Sequence, residues 1–429
     1  MAKTEEKVTR RDFVKGAVAA GVAAGSFRIL NASPKGGGRS FKVGLIGCGG
    51  RGGGAISDHL RAAKALNTAL NVGIECKPWA FADWSKGKAE RYGQRHGVPK
   101  ERCFGGGDAY RKLIDSGVDT VLMATPPVFR PLHFEACIEA GKHVFFEKPV
   151  AVDPVGCRRV IAAGEKAKAK GLTVVAGTQR RHERGRLRHV AALREGALGR
   201  IMGGRVSWCM GQIFSNRPIN PKGPGDLAGS GRWQLWVEMS GDHIVEQHVH
   251  NLDIANWYLG AHPVSAVGFG GRARRKPGNM YDFFSIDLEY PGGIHIHSTC
   301  RQCPDCFNWV GEHFTYEKRP PRGYKAKDPL PAEIPQEGGS QVQEHTDMLY
   351  FLLKGKPLNE ARNVAESTAV AVMGRESAFC GKRISWKAMM EDAKQDIYNL
   401  QLKPTAEDFE KDDVPLLKDG DVRLAGRPW

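Results

Sequence analysis

Three short stretches of the chain hold residue types able to do chemistry. The first is Gly47-Cys48-Gly49-Gly50-Arg51-Gly52, a G-x-G-x-x-G loop that follows an apolar run over residues 41–46 and opens a helical stretch over 53–69. In that setting it reads as a phosphate loop. Gly47 permits the tight turn, Gly49 lets backbone N–H groups approach a pyrophosphate, and Gly52 lets the helix pack on the strand. The helix N-terminus then faces the phosphates. The second stretch is Glu147-Lys148-Pro149, placed where the apolar run over 143–146 ends. An ammonium there can steady a developing alkoxide, and if desolvated beside other cations can share the work of a base. The third is Glu246-x-His248-x-His250. Imidazole titrates near neutral pH, so His250 suits proton abstraction. Spaced i,i+4, Glu246 and His250 are predicted to share one helix face, with Glu246 orienting the imidazole or raising its pKa. Asp253, if it approaches, would act in the same way. On such a helix His248 points away from the other two, so no metal site is expected here. His243 and His248 read first as satisfied polar residues, with His248 also a weaker candidate for facing substrate.

These groups need a scaffold. Residues 78–82 form a second strand-like run ending at Asp83, whose carboxylate can bond ribose hydroxyls and repel a 2′-phosphate. NAD is therefore favoured, with NADP kept open by Lys86 and Lys88 close by. The gap from Gly52 to Asp83 is long, as if residues 67–76 were an insertion. Helical stretches over 110–116 and 129–140 alternate with strands over 120–124 and 143–146. Such alternation predicts a parallel, doubly wound sheet. Ligands bind at the carboxyl ends of such strands, where Gly47, Asp83, Thr125, Pro126, Glu147 and Lys148 would converge.

Beyond Pro149 the pattern changes. A helix over 154–169, a strand over 173–177 and a basic helix over 185–195 precede strand-like runs over 203–211, 264–272, 283–290 and 294–299. Pro291-Gly292-Gly293 reads as a hairpin turn. These runs predict a large open sheet, mainly antiparallel, backed by helices over 341–354 and 363–380, after a Pro- and Lys-rich surface loop over 318–335. The expected organisation is a leader at 1–39, a dinucleotide-binding domain at 40–150, an α/β substrate domain at 151–403 and a tail at 404–429. Gln179, Arg180 and Arg301 are weaker candidates for holding polar substrate groups, and Trp208, Trp233 and Trp236 for stacking on a ring. Cys300-x-x-Cys303-x-x-Cys306 lacks a fourth cysteine at cluster spacing, and structural or disulfide cysteines are expected.

The glycine loop, Thr125-Pro126-Pro127, Glu147-Lys148-Pro149 and Val249-His250-Asn251-Leu252-Asp253 together resemble the Gfo/Idh/MocA oxidoreductases over roughly residues 41–400. The resemblance implies a Rossmann domain with a tightly bound nicotinamide dinucleotide, an α/β domain whose open sheet often joins copies into a homo-oligomer, and sugar or polyol substrates. It carries Lys148 and His250 over as catalytic residues. The family pattern has Asp four residues before the catalytic His. Here Glu246 stands in that place, and His248 where glycine is often found. Some members of the family are redox-neutral glycoside hydrolases, which oxidise C3 transiently, eliminate the aglycone and reduce the ketone again. Three readings follow: an oxidoreductase on a sugar, polyol or glycoside, a redox-neutral hydrolase or lyase, and a non-catalytic sugar-binding module.

Composition bounds these readings. The chain has 429 residues with a formal charge of +16. Residues 1–39 contain eight Lys/Arg and three Asp/Glu, so +5 of that charge sits in the leader. No nucleic-acid motif accompanies the remainder, and no nucleic-acid partner is expected. Thr9-Arg10-Arg11-Asp12-Phe13-Val14-Lys15, followed by a weakly apolar Gly/Ala stretch, reads as a twin-arginine export signal. That predicts engagement of the twin-arginine machinery and a periplasmic or otherwise exported protein carrying its cofactor with it.

Overall fold

Two six-stranded sheets organise the computed structural model, which describes residues 39–212, 232–275, 278–336 and 338–399. The twin-arginine stretch and the tail after 403 lie outside the described residues. The first sheet is built from β1 (Ser40–Ile46), β2 (Glu75–Asp83), β3 (Cys103–Gly105), β4 (Thr120–Met123), β5 (His143–Phe146) and β6 (Val174–Ala176). All its pairings are parallel, in the order β3-β2-β1-β4-β5-β6. Alternate side chains go to opposite faces of a strand, and here both faces are buried. Val43, Leu45, Phe81, Leu122, Phe145 and Val175 pack on one side. Ile46, Ala82, Val121, Met123, Phe146 and Ala176 pack on the other. The near-continuous apolar runs seen in the sequence follow from this double covering.

Helix α1 (Gly50–Leu70) starts inside the glycine loop, with Gly49 as its N-cap. Its 21 residues end at Asn71, whose left-handed φ of 49° caps it, and the nine-residue β2 begins at Glu75. The long Gly52-to-Asp83 gap is thus filled by a longer helix and a longer strand, with no inserted domain. Helices α2 (Lys86–Arg95), α3 (Ala109–Asp115) and α4 (Arg130–Glu139) complete the doubly wound unit. In α5 (Pro154–Ala169), Asp153 caps the N-terminus by accepting from the Gly156 amide at 2.6 Å, and Pro154 supplies a preset φ.

The chain crosses between layers more than its linear pattern indicates. β6 lies beyond residue 150 yet pairs β5 in the first sheet. Helix α6 (Arg184–Arg194) leads into β7 (Ile201–Met210), and the second sheet then continues. Its remaining strands are β8 (Ser265–Gly271), β9 (Phe283–Tyr290), β10 (Ile294–Gln302), β11 (Trp309–Tyr316) and the short β12 (Ile384–Ser385). Its order is β11-β7-β10-β9-β8-β12. Only β7 and β10 run parallel, so the sheet is mixed. Gly292 and Gly293, at φ 82° and 70°, make the β9–β10 hairpin. Helix α7 (Val249–Leu259) and α9 (Ala361–Cys380) cover one face, and α8 (Ser340–Leu353) returns to cover α1 on the first sheet. Among the described residues no helix is long and apolar enough to cross a membrane.

Candidate active site

The glycine loop is shaped by contacts that tolerate no side chain. Gly47 has φ +96°, and a Cβ there would fall 2.6 Å from the Ala124 carbonyl carbon. A Cβ on Gly52 would fall 1.9 Å from the Gly47 carbonyl oxygen. Gly49 and Gly50 differ: a Cβ on either would meet nothing within 4 Å, so the outer side of the loop is open. Asp83 fixes the loop from the end of β2, accepting from the Cys48 amide at 2.8 Å through one oxygen and from Ser85 at 2.9 Å through the other. The Cys48 thiol is buried against the Ala82 carbonyl, and burial, with the Asp83 charge, keeps it protonated.

A cleft opens beside this loop at the carboxyl ends of β1, β2 and β4, lined by Gly47, Asp83, Trp84, Tyr110, Thr125 and Pro126. Thr125 is buried and its hydroxyl has no partner among the described residues. Beside the cleft, this hydroxyl is placed to bond a ligand atom or a water. With the open glycine backbone and a carboxylate at the second strand end, the residues fit an adenine dinucleotide.

Arg51 joins this cleft to the second chemical stretch. Its guanidinium bonds Asp58 on α1 at 2.7 Å and Glu147 at 2.9 Å. Glu147 is 5 % exposed, so the pair fixes the first residue of Glu147-Lys148-Pro149 from inside the fold. Arg130, at the start of α4 and 4 % exposed, donates to the Pro149 carbonyl and fixes the last. Its burial lowers its pKa to about 10, even with Glu147 and Glu246 nearby. Lys148, held between these two, projects its ammonium onto the Glu246 backbone carbonyl, with the Glu246 carboxylate at 3.5 Å.

The third stretch departs from its expected geometry. A short helix, His243–Glu246, ends at Glu246, and α7 begins again at Val249. Glu246 and His250 therefore do not share a continuous helix face, and the Glu246 carboxylate serves Lys148 and the Gln247 amide. Glu246 does not raise the His250 pKa. Burial pushes that imidazole well below its ordinary value, and the charges of Lys148, Arg180 and His248 push the same way. Asp253 faces elsewhere too, taking a bidentate ion pair from Arg181 and a bond from Ser367. His248 is fully buried and bonds Ser298 on β10 at 2.8 Å, which makes it a core residue and not a substrate-facing one. His243 is likewise buried, against Asp242.

His250 stacks on Trp208 of β7, ring centroids 5.7 Å apart. The Arg180 guanidinium lies 5.6 Å from the same Trp208 ring. Arg180 and the half-buried Gln179 come from the turn Gln179–His182 just after β6. Lys148, His250, Trp208 and Arg180 thus form one cluster beyond the glycine loop. Arg301 does not join it. On β10 the buried residues Ile296, Ser298, Cys300 and Gln302 face the helices, so Arg301 faces the open side, where it bonds the Phe307 carbonyl. Trp236 packs in a small core with Phe129 and Met239, and Trp233 lies at its edge. Cys300, Cys303 and Cys306 are unpaired thiols, and no cluster of metal-ligating side chains occurs among the described residues. Sequence reasoning missed Arg130 and Glu312, and it named Asn251 only as part of a motif, without its bond to Glu312. Glu312 sits in an alternating edge strand, and nothing local distinguishes it from a solvated charge.

Residues 41–176 match the model of the oxidoreductase family with an NAD-binding Rossmann fold, and residues 187–305 match the GFO/IDH/MocA C-terminal domain. The chain belongs to the Gfo/Idh/MocA oxidoreductase family. Its relatives include the 2,7-anhydro-N-acetylneuraminate hydratase of Escherichia coli K12, 30% identical over 46% of this chain and 48% of that protein. Another is the inositol 2-dehydrogenase of Acidothermus cellulolyticus, 28% identical over 56% of this chain and 60% of that protein. The chain therefore spans about half to three fifths of these two relatives. The WlbA dehydrogenase of Bordetella pertussis, solved with NADH and UDP-GlcNAcA, superposes with a TM-score of 0.60 at 19% identity, covering 81% of this chain and 99% of that one. At that identity the shared property is the fold. The cleft at β1, β2 and β4 lies wholly within residues 41–176, the part that matches the NAD-binding model.

Proposed function

We propose that the protein is an NAD-dependent oxidoreductase that oxidises a secondary hydroxyl of a sugar or polyol. The observation that carries this reading is Lys148, close enough for its charge to act on His250 and joined to the glycine loop through the adjacent Glu147 and its ion pair with Arg51. NAD, when bound, supplies the hydride acceptor. The chain's own residues manage the proton and the oxygen. His250 is neutral at ordinary pH and is free to accept the hydroxyl proton. Lys148 places a positive charge where the alkoxide develops. Glu246 holds that ammonium in place, and Trp208 offers a ring face beside the imidazole.

Kinship with a hydratase favours a second reading in which the same groups run a redox-neutral elimination on a glycoside or anhydro-sugar. The test is incubation with NAD and a panel containing myo-inositol, D-glucose, D-glucuronate and aryl glycosides. The dehydrogenase reading expects reduced nicotinamide to accumulate with a free sugar or polyol. Release of the aryl group with no net reduction supports the second reading. Neither response anywhere in the panel contradicts both.

The proposal extends to export, supported by Arg10-Arg11 and the stretch after them, and checked by fractionation of cells against an Arg10→Lys, Arg11→Lys variant. It extends also to a homo-oligomer joined through the open face of the second sheet. There Val267 and Phe269 are 49 % and 68 % exposed on β8.

A further inference from the structure

Arg180 is an incompletely matched cation. Its side chain is 16 % exposed and is bound by Glu312, itself 7 % exposed. Glu312 is shared: one oxygen also takes the Asn251 amide at 2.6 Å, and the other takes Arg186 at 3.1 Å. Only Nη1 of Arg180 is engaged, leaving Nε and Nη2 without a partner among the described residues. Burial, together with the neighbouring charge of Arg186, lowers the Arg180 pKa in spite of Glu312. The free donors belong to a guanidinium lying over Trp208, the ring on which His250 stacks. Asn251 and Arg186 hold Glu312, and Glu312 holds Arg180, so the fork is positioned in advance.

A planar fork with two open donors matches a carboxylate better than a hydroxyl, because a carboxylate accepts two parallel bonds and supplies the missing charge. We infer that Arg180 is a specificity-determining residue that receives a carboxylate of the substrate, which makes the substrate class a sugar acid. The inference rests on the proposed reading of the site as a sugar oxidoreductase. Trp208 underlies the ring, Arg180 anchors the acid group, and Lys148 and His250 meet the hydroxyl to be oxidised.

The test is calorimetric binding of matched pairs to the NAD-loaded protein: D-glucuronate against D-glucose, and D-galacturonate against D-galactose. Nicotinamide reduction is followed in parallel. The expected result is a preference for the acid of roughly tenfold or more, which Arg180→Met brings close to parity and Arg180→Lys keeps in part. Glu312→Gln should weaken the preference by displacing the fork. Equal binding of acid and neutral sugar by the wild type, or an unchanged preference in Arg180→Met, overturns the inference. If selective binding occurs without reduction, the redox reading fails and the inference stands. If both sugars of a pair bind and reduce the cofactor equally, the redox reading stands and the inference fails. Binding of none of the four overturns the inference.

Discussion

Lys148 sits between two fixed residues, Glu147 on Arg51 and Pro149 on Arg130, so its ammonium is aimed by the backbone as well as by Glu246. Lys148→Met removes the positive group from the reacting oxygen without touching the glycine loop. Turnover should fall by about 10²–10⁴-fold while the dinucleotide content of the purified protein stays the same. Rapid-mixing kinetics alongside quantification of released cofactor checks both halves. His250 makes a second prediction. Its imidazole is held well below the ordinary value of 6.5, chiefly by burial, so the base form persists into mild acid. The acid limb of kcat/KM should therefore lie below pH 6.5, and a limb above that value would remove His250 from the base role. Lys148 and His250 were legible in the sequence because a strand end and a motif marked them. The partner of Glu246 was not, because the break between Glu246 and Val249 carries no proline or glycine to reveal it. His248 and Arg301 were misplaced for a related reason: which face of a strand or helix is buried depends on distant elements.

Within the β1–α1 unit the glycines divide into two kinds, and substitutions should separate them. Gly52→Ala puts a methyl against the Gly47 carbonyl and should destabilise the fold by about 1–3 kcal/mol. Gly49→Ala meets open space, so its melting temperature should match the wild type while its affinity for NAD falls as the methyl intrudes on the pyrophosphate. Thermal melts paired with NAD titration distinguish the two, and matching losses of stability in both would contradict this division. The unit itself was readable from local pattern, since strand, glycine loop, helix and Asp83 follow one another. The membership of β6 and α8 in the first layer was not. Val174–Ala176 and Ser340–Leu353 reach it by pairing and packing across long stretches of chain, and short-range periodicity cannot register that.

At the scale of the whole molecule, buried histidines set how stability depends on pH. Burial lowers His59 to about 4 and His133 and His248 to about 3, and holds His345 well below 6.5. Below pH 6.5 the unfolded chain binds protons at these sites that the folded chain does not. Their contribution is complete above pH 6.5 and is lost as pH falls toward 3–4. His182 works in the opposite sense. Although burial opposes its charge, Glu360 and Asp347 hold it well above 6.5, so its contribution is complete below that value and is lost as pH rises through its raised pKa. Denaturant midpoints should therefore peak near pH 6.5 and fall on either side, and a steady rise in stability on acidification would contradict the assignment. The two-sheet architecture was legible from the alternation of runs, but the parallel β7–β10 pairing was not, because strand direction within a sheet leaves no mark in a single sequence. The proposed activity requires a dinucleotide that lies in the first-sheet cleft and changes its redox state there. The decisive measurement is to denature protein purified without added cofactor, before and after exposure to the sugar panel, and to quantify oxidised and reduced nicotinamide dinucleotide in the supernatant. The expected result is about one dinucleotide per chain, converted from the oxidised to the reduced form by a sugar or polyol in the wild type but not in Lys148→Met. A chain that binds no dinucleotide even when NAD is supplied, or a bound one whose redox state no sugar alters, would contradict it.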